Sequence, residues 1–278
     1  MHTVYASTLT AILLASCAAA PGPQADGMPG PSARAEAQAG AEDKPVSVMG
    51  TGTERIANGL YTSPMWLSHE FDGTQSRRFE GDTLVLTMDQ THPKGGLDTA
   101  IATNEDELPD VADVSDDLVV CFAYDVDLTG EGSWWAGPKI SVDWNREAEV
   151  ETDGWFETYV VETADVAPDV LEARMYDYFD AQFIGETRQD GGVYRHFVFP
   201  FVDWMQFWAI RQDYRTEGGT SIGPILGMWQ QHGLPADGTF DGVKVNIETH
   251  GDMRGTVRID GEVPQSYRNP SPMTCDEA

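Results

Sequence analysis

The chain is poor in basic residues: 17 Lys plus Arg stand against 46 Asp plus Glu, a formal net charge of −29. A surface of that sign repels phosphate backbones, so nucleic acid is excluded as the expected ligand. Cysteine is scarce as well, with three in 278 residues. That is too few for a disulfide-built scaffold, and His2, His69, His92, His196, His232 and His250 show no metal-ligand spacing. No metal and no cofactor are expected. Also missing is any apolar run long enough to span a bilayer, since the longest such stretch, residues 8–16, has only signal-peptide length. No 3.6-residue periodicity continues far enough for a helical protein.

What is present is apolar and aromatic. Residues of the apolar classes make up 41%, with 8 Trp, 11 Phe and 9 Tyr, enough for a large core with aromatics to spare for a binding surface. The 8–16 segment ends at Leu14-Ala15-Ser16-Cys17, which resembles a bacterial lipobox. Residues 1–17 therefore read as a lipoprotein-type signal peptide, simple secretion being the alternative because no basic residue precedes the apolar run. Residues 18–45 are rich in Ala, Gly and Pro and read as a flexible tether. Residues 46–264 read as the folded domain and 265–278 as a C-terminal tail. An exported protein is expected, in contact with membrane only through its lipid anchor and monomeric. In an oxidising compartment Cys121 and Cys275 could pair.

The body of the chain alternates short Val-, Ile-, Phe-, Tyr-, Trp- and Thr-rich runs with Gly, Asp and Asn turns. The clearest runs are 83–88, 118–126, 139–144, 155–161, 193–199, 204–211, 243–248 and 256–259. Short strands without intervening helices predict an all-β antiparallel sandwich or barrel. One segment, 224–232, predicts a single substantial helix on the outside of a sheet, with Pro224 at its start, Ile225, Met228 and Trp229 on one face and Gly233 at its stop.

Strand alternation sorts the side chains. Val243, Val245 and Ile247 share one face while Asn246, Glu248 and His250 share the other; Glu157 points with Tyr159, and Gln206 with Trp208. Carboxylates, phenol, amide and indole on one sheet face make a plausible sugar cleft. Most Glu residues on strands are nevertheless only the solvated side of a sheet, so alternation by itself gives neither Glu157 nor Glu248 a catalytic role.

The same segments resemble glycoside hydrolase family 11, the β-jelly-roll endo-1,4-β-xylanases. Glu157-Thr158-Tyr159-Val160-Val161-Glu162, followed by Pro168, is similar to the family's nucleophile strand. Gln206-Phe207-Trp208-Ala209-Ile210-Arg211-Gln212 is similar to the strand before the family's lone helix, and Asn246-Ile247-Glu248-Thr249-His250 to its acid/base strand. The resemblance implies a jelly roll of two curved antiparallel sheets with one packed helix. It implies Glu157 as nucleophile and Glu248 as acid/base of a retaining, endo-acting hydrolase of β-1,4-linked xylan or a related β-glycan, with carboxyl groups about 5–5.5 Å apart. Gln206 would donate to Glu157, Tyr159 would contact the sugar or the nucleophile, Glu248 would be the protonated member in the free protein, and His92 would stand where the family tunes its acid/base. Trp208, His250 and Asn246 complete the expected substrate contacts.

The departures from the family are equally specific. The stretch from Tyr194 to Gln206 is too short for the family's thumb hairpin, an expected Tyr near position 142 is Val142, residues 147–154 read as an insertion, and His250 replaces an aromatic. They keep open a catalytically inactive surface protein that binds carbohydrate, a jelly-roll hydrolase of another β-glucan, and a purely structural surface lipoprotein.

Overall fold

In the computed structural model the described residues are 60–62, 66–67, 71–93, 95–103, 109–143, 155–201, 204–264 and 266–275. The signal-peptide and lipobox segment with Cys17, the tether, His69, Trp144 and the 147–154 insertion lie outside them.

The chain runs through β1 (Leu60–Thr62), β2 (Trp66–Leu67), β3 (Gly73–Glu80), β4 (Thr83–Gln90), β5 (Gly96–Thr103), β6 (Val119–Gly130), β7 (Ser133–Asp143), β8 (Trp155–Val161) and β9 (Thr163–Ala164). After helix α1 (Pro168–Phe179) come β10 (Gln182–Gln189), β11 (Gly192–Phe201), β12 (Trp204–Arg211) and β13 (Glu217–Ser221). Helix α2 (Gly223–Gln230) leads to β14 (Thr239–His250) and β15 (Met253–Glu262). A 10-stranded sheet is ordered β1-β5-β14-β7-β8-β12-β11-β10, with β2 and β9 pairing at its side, and a 5-stranded sheet is ordered β13-β6-β15-β4-β3. Pairing is antiparallel except between β8 and β12, which run parallel. This is one of the two architectures, sandwich or barrel, that the strand pattern predicts, and the two-sheet jelly roll that the family resemblance implies.

Alternation explains how the large sheet serves two surfaces at once. Val243, Val245 and Ile247 of β14, Ile140 and Val142 of β7, Val160 of β8 and Phe207 and Ala209 of β12 enter the main core, where they meet Leu84 and Leu86 of β4 and Val257 and Ile259 of β15. Their neighbours one residue along project from the other, concave face. That second face carries an apolar cluster of its own, which includes Val161, Trp208 and Ile210, beside the polar side chains of β5, β7, β8 and β14.

Three expectations change. First, the described residues hold two α-helices: α1 is not predicted because its Pro168 reads as a loop signal and its buried positions, Leu171, Glu172 and Met175, include a charge that weakens the apolar stripe. Pro at the first turn is tolerated there because that amide has no intrahelical acceptor. Second, α2 sends Ile225, Leu226 and Trp229 into the main core, with Met228 at the rim, so it completes the core rather than lying outside a sheet. Third, the segment after 264 is not all tail. Tyr267 is buried in the main core, its hydroxyl accepting from Val243 N at 3.2 Å, and Cys275 is disulfide-bonded to Cys121 of β6. Gly219 of β13, in register with Cys121, has no room for a Cβ because the Cys275 sulfur lies against it.

Candidate active site

The carboxylates singled out by the sequence come from β8 and β14, which are separated in the sheet by β7. Both project from the concave face, and both meet one cation that the sequence reading overlooked. Lys139 Nζ, on the intervening β7, lies 2.7 Å from Glu157 Oε1 and 4.0 Å from Glu248 Oε2. These two oxygens are therefore no farther apart than the sum of those distances, a ceiling that admits the ~5–5.5 Å spacing of retaining pairs and reaches only the lower edge of the ~6.5–9.5 Å range of inverting ones.

Lys139 also touches Asp98 Oδ2 at 2.6 Å and lies over the Tyr159 ring, 4.8 Å from its centroid. Asp98 is the cross-strand neighbour of Glu248, β5 against β14. It thus stands beside the expected acid/base, where the family register had suggested His92; the His92 backbone instead closes a turn after β4 by accepting from Gly95 N and from the Gln90 side chain. Both missed residues carried a legible signal. Lys139 alternates with Ile140 and Val142, and Asp98 with Leu97 and Thr99, so each was assignable to the polar face of its strand.

Every polar atom of the pair has a partner. Gln206 Nε2 donates to Glu157 Oε2 at 2.7 Å, as expected, and Trp208 Nε1 donates to Gln206 Oε1 at 3.1 Å, fixing the amide's orientation. Tyr159 donates to Glu248 Oε2 at 2.7 Å, not to Glu157 on its own strand. His250 Nε2 lies 2.6 Å from Glu248 Oε1, and its ring stacks on Trp135 with centroids 5.0 Å apart. Asn246, oriented by its surroundings, donates to the Thr99 carbonyl at 3.2 Å and to the Asp98 carboxylate. It is buried and serves Asp98. Trp208 is only 2% exposed, packed among Trp135, Tyr159 and Phe199, so it is a supporting wall and not an open stacking platform.

The charges shift one another's proton affinities. Burial disfavours ionised Glu248, but the hydrogen bond and charge of His250, the Lys139 ammonium and the Tyr159 hydroxyl outweigh it and bring its pKa down to about 2. Glu248 is therefore a carboxylate in the free protein, the reverse of the expected protonated acid. Burial raises Asp98 despite the opposing Lys139 charge. Burial also disfavours the Lys139 ammonium, yet Asp98, Glu157 and Glu248 together raise its pKa above the ordinary value. The Tyr159 phenol is pushed well up by burial and by the Glu157 and Glu248 charges.

Two more expectations resolve here. Ser141, not Val142, lies opposite Glu157, while Val142 points into the core. β11 and β12 stay paired as far as Phe201 and Trp204, leaving a connection too short for a thumb hairpin. Ser141 Oγ and Trp135 Nε1, in register with Glu157 and Glu248 respectively, are buried with no hydrogen-bond partner among the described residues.

Comparison with known proteins bears on the fold. No family model matches the chain, and no curated protein does. Among solved structures, the family 11 xylanase from Neocallimastix patriciarum is similar over 79% of this chain and 100% of its own, with TM-score 0.57 and 18% identity. A double-cysteine mutant of ENZbleach xylanase is similar over 85% of this chain and 92% of its own, with TM-score 0.56 and 16% identity. The chain has the fold of these xylanases.

Proposed function

We propose that the protein is a divergent member of glycoside hydrolase family 11 that cleaves β-1,4-linked xylan or a related β-glycan with retention, Glu157 acting as nucleophile and Glu248 as acid/base. One observation carries this reading: two carboxylates from non-adjacent strands converge on a single ammonium, which bounds their separation to a range that admits double displacement. The oxocarbenium-like transition state needs one carboxylate on each side of the scissile bond. Gln206 orients Glu157 and Tyr159 orients Glu248.

The acid step needs a proton on Glu248, which the free protein lacks. A bound sugar that excludes water raises the proton affinity of Glu248 by desolvation, with His250 Nε2 its hydrogen-bond partner 2.6 Å away. Lys139 is the counter-charge that lets Asp98, Glu157 and Glu248 share one small volume until then. The Cys121–Cys275 disulfide supports an oxidising compartment, in keeping with export, and Cys17 supplies the proposed lipid anchor.

A second reading is favoured by the same cation. With Lys139 against Glu157 and Glu248 held ionised, the site resembles a neutralised remnant that binds glycans without cutting them. A polysaccharide panel that includes xylan and mixed-linkage β-glucan separates the two. The hydrolase reading expects new reducing ends, retained anomeric configuration in the first product, and loss of release in both Glu157→Gln and Glu248→Gln. Binding without release from any β-glycan would establish the second reading.

A further inference from the structure

An endo-acting enzyme needs a groove open at both ends, because the polymer must leave on either side of the cut. Among the described residues, this face is covered on its β11–β12 side. Phe199 is in register with Gln206, and Gln206 with Glu157, so Phe199 lies two strands from the nucleophile, a distance of about 10 Å. At that point the face is already roofed. Phe197 and Phe199 are 0% and 1% exposed, and Val161 and Ile210, farther along β8 and β12, are both fully buried.

The roof is α1. Its Leu171 and Met175 pack into a cluster with Val161, Phe197, Phe199, Trp208 and Ile210. Phe179 stacks on Phe199 with ring centroids 5.0 Å apart, and Tyr176 meets Phe197 edge-on at 5.6 Å. Polar contacts hold it in place: Glu172, itself 4% exposed, accepts from Arg195 of β11 and, at 2.7 Å, from Gln212 just after β12. A helix bound through both an apolar stripe and a buried ion pair is a fixed wall, not a lid. The partly exposed charged groups Asp98, Lys244 and His250 lie instead on β5 and β14, away from β11 in the sheet order.

We propose that α1 is the end wall of the substrate groove, so that the protein trims short fragments from the ends of β-glycan chains instead of cutting them internally. The proposal rests on the hydrolase reading and departs from the endo cleavage that the family resemblance implies. On one side of the scissile bond the wall leaves room for only one or two sugar residues before Phe199 and Phe179.

The test is the product pattern of the wild-type protein on soluble xylan, or on whichever panel polysaccharide it cleaves, and on linear oligosaccharides of that polymer tagged at the reducing end. An end wall gives a narrow set of short products from the start, with viscosity falling slowly relative to reducing-end release. Early mid-length fragments with a rapid collapse of viscosity would overturn it. Cleavage of no polysaccharide or oligosaccharide at all would instead defeat the hydrolase reading. Phe179→Ala, which trims the wall where it meets Phe199, is expected to shift the products toward longer fragments; a variant that melts like wild type and keeps its product lengths would count against the wall.

Discussion

The Tyr159 hydroxyl donates to Glu248, 89 residues away, at 2.7 Å, although Glu157 projects from the same strand and face. The phenol therefore belongs to the Glu248 side of the site. On the hydrolase reading, Tyr159→Phe removes a hydrogen bond to a charged group, worth about 1.5–3 kcal/mol, and lowers kcat about ten- to hundredfold. Steady-state kinetics on the cleaved polysaccharide measures this, and an unchanged kcat would remove Tyr159 from the machinery.

Among the described residues Lys139 is the one cation that Asp98, Glu157 and Glu248 share, so Lys139→Met leaves them facing one another in a buried site. Loss of about 3–5 kcal/mol of stability is expected near neutral pH, where breaking a buried pair strands uncompensated charge. The penalty shrinks in acid, because the lost cation had been favouring the ionised carboxyls and these now take up protons at higher pH. Denaturant unfolding at pH 7 and pH 4 reads both effects, and a loss as large at pH 4 as at pH 7 would contradict the charge account.

Acid should weaken the fold through His196. This residue is fully buried beside Thr187, and burial, with a smaller contribution from the His232 charge, brings its pKa from 6.5 to about 3. The unfolded chain takes up a proton that the folded one refuses, so stability present above about pH 6.5 declines toward pH 3, by up to about 1.4 kcal/mol per pH unit. Glu248, lowered from 4.5 to about 2, adds a loss in the same direction within its own window. His196→Gln should flatten the decline between pH 6.5 and 4.5, as followed by urea unfolding; a slope identical to wild type would refute the assignment.

The disulfide joins residues 154 positions apart, and breaking it frees a long loop in the unfolded chain. Reduction, or the Cys121→Ala/Cys275→Ala pair, is expected to cost about 2–5 kcal/mol. Thermal unfolding with and without reductant checks it, equal Tm values being the adverse result.

How far the site was readable follows from what alternation can and cannot say. It put Glu157 with Tyr159 and Glu248 with His250 on common faces, and all four line one concave surface. Alternation carries no information on which strands become neighbours. Lys139 was visible only as one polar position in an apolar run, and Asp98 likewise, until β7 and β5 were known to flank β14. Side-chain reach was equally hidden: Trp208 shares the expected face yet is covered, because α1, whose stripe is interrupted by Glu172, packs above it. The proton on Glu248 was misjudged for the same reason, since repulsion between two carboxylates argues for a raised pKa only when no cation stands between them.

The parallel pairing of β8 with β12 has a temporal consequence. Antiparallel neighbours can zip from a turn, whereas parallel strands must wait for a crossover, here the whole of α1, β10 and β11. Glu157 and Gln206, 49 residues apart, thus come together only by closing a long loop, a slow step in chains dominated by non-local contacts. The setting of Glu157 is expected to mature late in refolding, after the β10–β11 hairpin, and any ligand that recognises it should bind only to the last species formed.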